Sequence, residues 1–326
     1  MRRMLFLAAT LALACAAHAA EFHFATPAEG AAVLTADDDF MTALSPADPA
    51  LRLRSATKQS VAALKQSYAS HVVDWNETRR AKITAVLQRL QPQLDALSRW
   101  LPARVDFVLV SAEVEGGLPH TRAAAIILPA AFVESGEPLD FVTMHELFHV
   151  LSRNNRAQRD GMYALIGFEP CHVIEPAQFA TRRVTNPDAP SLGYFLPLEG
   201  DGHEGLVPYV YADKPVFDAA AGADFEHQLR VGFLHMRVQA TANGPECVVA
   251  PGERNPMLPL TAHREWVERQ TGANTGYLIH PEEALADNFA LLIVGSDRPV
   301  PSPWVLERLR VWLDIPQELL PAVARH

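Results

Sequence analysis

The chain has 326 residues, 49% of them hydrophobic and 20% charged, the proportions of a globular protein with a full core and not of a disordered or collagen-like chain. Lys and Arg number 28 against 38 Asp and Glu, a formal charge of −10, which argues against a phosphate-backbone binder, and no nucleic-acid partner is expected. The length suits one large domain or two modest ones.

The N-terminus has the layout of an export signal. Arg2 and Arg3 give a positive start, Met4–Ala17 is apolar, and Ala17-His18-Ala19 supplies a small–x–small cleavage site. Residues 1–19 are therefore read as a signal peptide, with a mature chain from Ala20 in the periplasm or outside the cell. The apolar run is short for a bilayer span, and no later segment offers about 18 uninterrupted apolar residues, so no membrane span is expected after cleavage. Cys15 leaves with the signal. Cys171 and Cys247 then remain, either as one disulfide in an oxidising compartment or as two separate buried thiols.

Residues 21–50, rich in Ala, Asp and Pro, read as an irregular arm in which Asp37–Asp39 cap a short helix near Phe40. Residues 56–100 read as helical, with Val61, Leu64, Tyr68 and Val72 at helical spacing, then Ile83, Leu87, Leu90, Leu94 and Leu97. The arm and helical region make one part (20–100), ahead of a second part over 101–326. Val105–Val110 alternates as a strand and Ala124–Leu128 is a more continuously apolar one. Pro138 opens a helix to about 153. The stretch 161–215 is rich in Pro, Gly and Asp, so 186–190 and 199–205 read as surface loops. One or two strands follow over 225–240, then helices over 261–270, 281–295 and 302–313. Helices flanking a modest sheet give an α+β class.

The chemistry is concentrated in His145-Glu146-Leu147-Phe148-His149. On a helix, residues i and i+4 stack on one face, so both imidazoles can converge on one Zn²⁺ while Glu146 takes a proton from activated water. Met144, Leu147, Phe148 and Leu151 give this helix apolar sides, and a buried stripe of two His and one Glu needs a compensating partner. Downstream, Glu283 and Asp287 are again i and i+4, near the start of a helix. Glu283 can complete a three-ligand set, and Asp287 can accept the N–H of a ligating imidazole. Glu282 points about 100° away and is the weaker ligand candidate, so its removal is expected to change little.

HELFH at 145–149 followed by EALAD at 283–287 resembles the gluzincin zinc metallopeptidases, which pair HExxH with a later Glu-x-x-x-Asp helix. The resemblance names no subfamily. It implies a zincin-like fold, a small mixed sheet packed with the HExxH helix and a mainly helical C-terminal part. It also implies His145, His149 and Glu283 as zinc ligands, Glu146 as general base and Asp287 as the partner of a ligand imidazole. The expectation is a zinc peptidase with one Zn²⁺ per chain and a peptide or protein substrate. Its rivals are a noncatalytic metal-binding periplasmic protein and a zinc hydrolase of another amide or ester. Peptidases of this kind also use a Tyr or His on the oxyanion. Tyr277 and His280 lie just before the Glu283 helix and join Tyr194, His203, Tyr209 and Tyr211 as candidates. Asp201, His203 and Glu204 read as loop decoration before a second metal site.

Overall fold

The computed structural model describes residues 20–200 and 203–321, so the expected signal segment 1–19 lies outside the described residues. Helices and two sheets are interspersed along the chain, an α+β arrangement. Among the described residues no helix is long and apolar enough to cross a membrane.

The first sheet has the spatial order Glu21–Phe24, Arg104–Val110, Ala125–Pro129, His120–Arg122; the first three strands run parallel and the last is antiparallel. Because side chains alternate along a strand, its two faces build two cores. Phe107, Leu109, Ile126 and Leu128 pack with Met144, Leu147, Phe148 and Leu151 of the helix Leu139–Asn154. Val108, Val110 and Ile127 pack with Leu34, Phe40, Leu64 and Tyr68 from the N-terminal region. The strand Glu21–Phe24 thus joins residues 20–100 to the sheet of the later part.

The arm 21–50 is more regular than its composition suggests. Besides that strand it holds helices Pro27–Thr35, Asp39–Ala43 and Asp48–Arg52. The cause is local: Thr26 and Glu29 form a reciprocal capping box with Pro27 in the first turn, and Asp38 caps the next helix through Met41 N. The helical region 56–100 resolves into Val61–Ser70, Glu77–Arg89 and Gln91–Leu97.

The second sheet runs Glu169–Pro170, Tyr194–Pro197, Glu204–Ala212, Leu229–Thr241, Gly244–Val248, His172–Val173, with Met257–Pro259 on the strand Leu229–Thr241. Part of the 161–215 stretch is therefore strand and not loop. Cys171 and Cys247 form a disulfide in this sheet's core, beside Phe179, Val207 and Leu234. The C-terminal helices Arg264–Thr271, Pro281–Val294 and Pro303–Leu313 lie close to their expected bounds.

Candidate metal centre

Two helices carry the centre. Leu139–Asn154 presents His145, Glu146 and His149; Pro281–Val294 crosses it with Phe289 against Phe148, ring centroids 5.5 Å apart. Both rings are fully buried, so truncating either would remove about 3–5 kcal/mol of packing and loosen the crossing. The second helix starts where His280 Nδ1 accepts from Glu282 N at 3.0 Å with Pro281 at the first helical position, and it stops at Gly295, whose φ of +86° suits glycine.

Glu283 Oε2 lies 3.2 Å from His145 Nε2 and 3.6 Å from His149 Nε2. Tetrahedral bonds of about 2.0–2.2 Å place ligand atoms roughly 3.3–3.5 Å apart, so both separations suit ligands of one zinc ion. His145, His149 and Glu283 offer one ligand atom each, all within 4.8 Å of one another. The opposite ring nitrogens are held by carboxylates: His145 Nδ1 by Asp287 Oδ1 at 2.8 Å and His149 Nδ1 by Glu282 Oε1 at 3.1 Å. Thr275 Oγ1 donates to Asp287, and Asn186 Nδ2 donates to the second oxygen of Glu283.

The sequence ranks Glu282 below Glu283 as a ligand, and Glu282 is outside the convergent set, yet it is no bystander. Its side chain turns back toward the first helix, where it is fully buried and accepts from His149 Nδ1, from Ser152 Oγ at 2.8 Å and from Tyr163 Oη. Helical phase says which way a Cβ points; it does not stop a long side chain from reaching a neighbouring stripe.

Two observations test whether a cation fits. His149 Nε2 is buried and has no hydrogen-bond partner, a costly state that a metal bond would relieve. Further, Glu146, Asp188, Glu282 and Glu283 are each less than a tenth exposed and, with Asp287, crowd around two imidazoles. Arg153, the buried cation beside them, spends its donors on the backbone oxygens of Thr121, Pro187 and Asp188. Buried carboxylates in such excess call for positive charge. The electrostatics follow the same crowding. Burial opposes the His145 imidazolium, yet Asp287 and Glu283 push its pKa up to about 10. Burial likewise opposes the Glu283 carboxylate, but the two imidazoles draw it well below its usual range. The donor set of two imidazole nitrogens and a carboxylate oxygen fits Zn²⁺.

Glu146 stands beside these ligands with Oε2 accepting from Thr121 Oγ1 at 2.9 Å. Burial raises its pKa above the ordinary carboxyl value. Glu146, His149 and Asp188 form a second convergent set within 4.8 Å, which shares His149 and extends the centre toward a cleft. Sequence reasoning missed Asp188: the segment 186–190, read as a surface loop, is tucked against the centre, with Asp188 buried. Its Asx turn (Asp188 N to Asn186 Oδ1, 2.9 Å) is the signal that Asn-Pro-Asp carried.

Of the oxyanion candidates, Tyr277 lines the cleft, with its ring 6.2 Å from that of His145. His280 is instead a helix cap packed against Tyr163 and Tyr194. Tyr194 donates to Asp160 and Tyr209 to Glu175, while Tyr211 packs on Phe179. Asp201 lies outside the described residues, and Glu204 faces His235 at 3.3 Å. No family model, curated protein or solved structure matches the chain.

Proposed function

We propose that this chain is an exported, zincin-like zinc metallopeptidase of the gluzincin kind, hydrolysing peptide bonds with one Zn²⁺ per chain. The observation that carries the reading is the convergence of His145 Nε2, His149 Nε2 and Glu283 Oε2 beside a further buried carboxylate, Glu146. A closed structural site has no use for that extra carboxylate.

His145, His149 and Glu283 hold the ion, and Asp287 and Glu282 fix the two imidazoles in the tautomer that leaves Nε2 free to bind it. When bound, zinc supplies a Lewis acid that polarises a scissile carbonyl and acidifies water. Glu146, with one oxygen pinned by Thr121, takes a proton from water and passes it to the leaving amine. Burial raises its pKa, which favours holding the proton between taking it from water and giving it to the amine. Tyr277 stands at the cleft where its hydroxyl can donate to the carbonyl oxygen as negative charge develops there. The Cys171–Cys247 disulfide supports export, since such bonds persist in oxidising compartments.

Digestion of a peptide library by the zinc-loaded protein, read by mass spectrometry with and without a chelator, tests the reading. Chelator-sensitive cleavage is expected. Its absence across the library would remove the peptidase assignment and leave a metal-binding protein or a hydrolase of other bonds.

A further inference from the structure

The strand His120–Arg122 is the edge of the first sheet, and it lies directly against the base, through Thr121 Oγ1 and Glu146. An open edge strand beside a reactive centre is a template on which an extended peptide can pair by backbone hydrogen bonds. This edge is closed by the chain itself. Thr121 N–H donates to Asp188 Oδ1 at 2.6 Å and Thr121 O accepts from Arg153 Nη1 at 3.0 Å. His120, Thr121 and Arg122 are all essentially without solvent exposure.

The closing segment is tied down at both ends. Asn186 holds Glu283, and Arg153 grips the carbonyls of Pro187 and Asp188. At its start, Thr185 N and Oγ1 donate to Asp48 at 3.1 and 2.6 Å, and Arg52 donates to Thr185 O. Arg52 is itself buried between the rings of Phe40 and Phe225 and paired with Glu115. Lifting the segment to expose Thr121 would strand a buried carboxylate and buried guanidinium groups, which is strongly unfavourable.

What remains open is a cleft of about 300 Å³ running from His145 and Glu146 to the Arg52–Glu115 pair. Leu118 and Tyr277, both large and exposed, stand at its mouth, and Phe132, Phe141, Val142 and Ile279 line it. Resting on the peptidase reading above, we infer that the substrate is a short peptide, or the end of a longer one, held by a large apolar side chain in this cleft and not by strand pairing at Thr121.

Binding of phosphinic peptides to the zinc-loaded full mature chain, measured by calorimetry, decides this. The series runs from a dipeptide to an octapeptide with Phe kept at one position beside the phosphinate. A dissociation constant that changes less than about threefold along the series is expected, because each strand-type backbone bond would otherwise be worth several-fold to tenfold. Replacing Phe by Ala should weaken the dipeptide about 10–100-fold. An affinity that climbs tenfold or more as residues are added, or an Ala ligand as tight as the Phe one, overturns the inference while leaving the peptidase reading in place. No binding at any length overturns both.

Discussion

Glu282 holds His149 Nδ1 at 3.1 Å while Asp287, five residues later on the same helix, holds His145 Nδ1 at 2.8 Å. One helix thus supplies both the third ligand candidate, Glu283, and a carboxylate for each imidazole of the other helix. An imidazole fixed in this way presents Nε2 as the lone-pair donor and loses little freedom on binding a metal. Glu282→Ala should therefore weaken zinc binding about 10–100-fold, on the scale of Asp287→Ala. Competition with a chromophoric chelator measures it. An affinity equal to wild type would return Glu282 to the bystander role that helical phase alone assigns it.

Loss of the proposed ligands should cost more. Protein reconstituted with Zn²⁺ and desalted should carry about one zinc per chain, and the His145→Ala/His149→Ala double variant essentially none. Equal metal content in the two would mean that the ion binds elsewhere.

On the peptidase reading Glu146 moves protons and is not one of the three zinc ligands, so zinc content and turnover should separate in Glu146→Gln. The isosteric amide can still receive the Thr121 hydroxyl bond, so the fold and the metal should be retained. Loss of a general base costs about 10²–10⁴-fold, and the upper end is expected because the same group also returns the proton. A variant that cleaves as fast as wild type would remove Glu146 from the mechanism.

The parts of this centre legible in the sequence are those written in local periodicity. The i, i+4 spacings of His145/His149 and Glu283/Asp287, the proline starts at Pro138 and Pro281 and the glycine stop at Gly295 placed both helices within a residue or two. The rest depends on pairings between distant segments. The edge strand His120–Arg122 has no apolar residue, yet it is wholly buried, with Asp38, Asp188 and Arg153 meeting Arg122 Nε and the Thr121 N–H and O from 32 to 84 residues away. No window on the sequence contains that set. The segment 186–190 has loop composition, and composition does not distinguish a loop over solvent from one over a buried cluster of imidazoles and carboxylates.

The disulfide gives a prediction independent of zinc. Cys171 and Cys247 are 76 residues apart and both buried. Closing a loop of that size stabilises the fold by about 4 kcal/mol on the chain-entropy account. Thiol labelling of unfolded, unreduced mature protein should find no free thiol, and Cys171→Ser/Cys247→Ser should lose stability on that order in urea unfolding. Two labelled thiols per chain would show that the bridge does not form.

His120 predicts an acid-labile fold. Its ring is buried beside the cleft, with Nδ1–H donating to Leu118 O at 3.1 Å and Nε2 without a partner. Burial depresses its pKa to about 4, against the pull of Glu115 and with the push of Arg122 and Arg52. In the unfolded chain the same imidazole protonates near its ordinary value of about 6.5. Between those values the unfolded state binds the extra proton, so the stability tied to neutral His120 is complete above about pH 6.5 and is lost as pH falls toward 4. A shift of that size is worth at most about 3 kcal/mol. His120→Asn keeps a donor for Leu118 O and cannot titrate, so its urea midpoint should fall less than that of wild type between pH 7 and 4, both measured free of metal. Carboxylates that titrate in the same window act on both proteins and cancel in the comparison. Midpoints that fall in parallel would mean that His120 accepts its proton in the folded state, and that the cleft wall beside it opens to water.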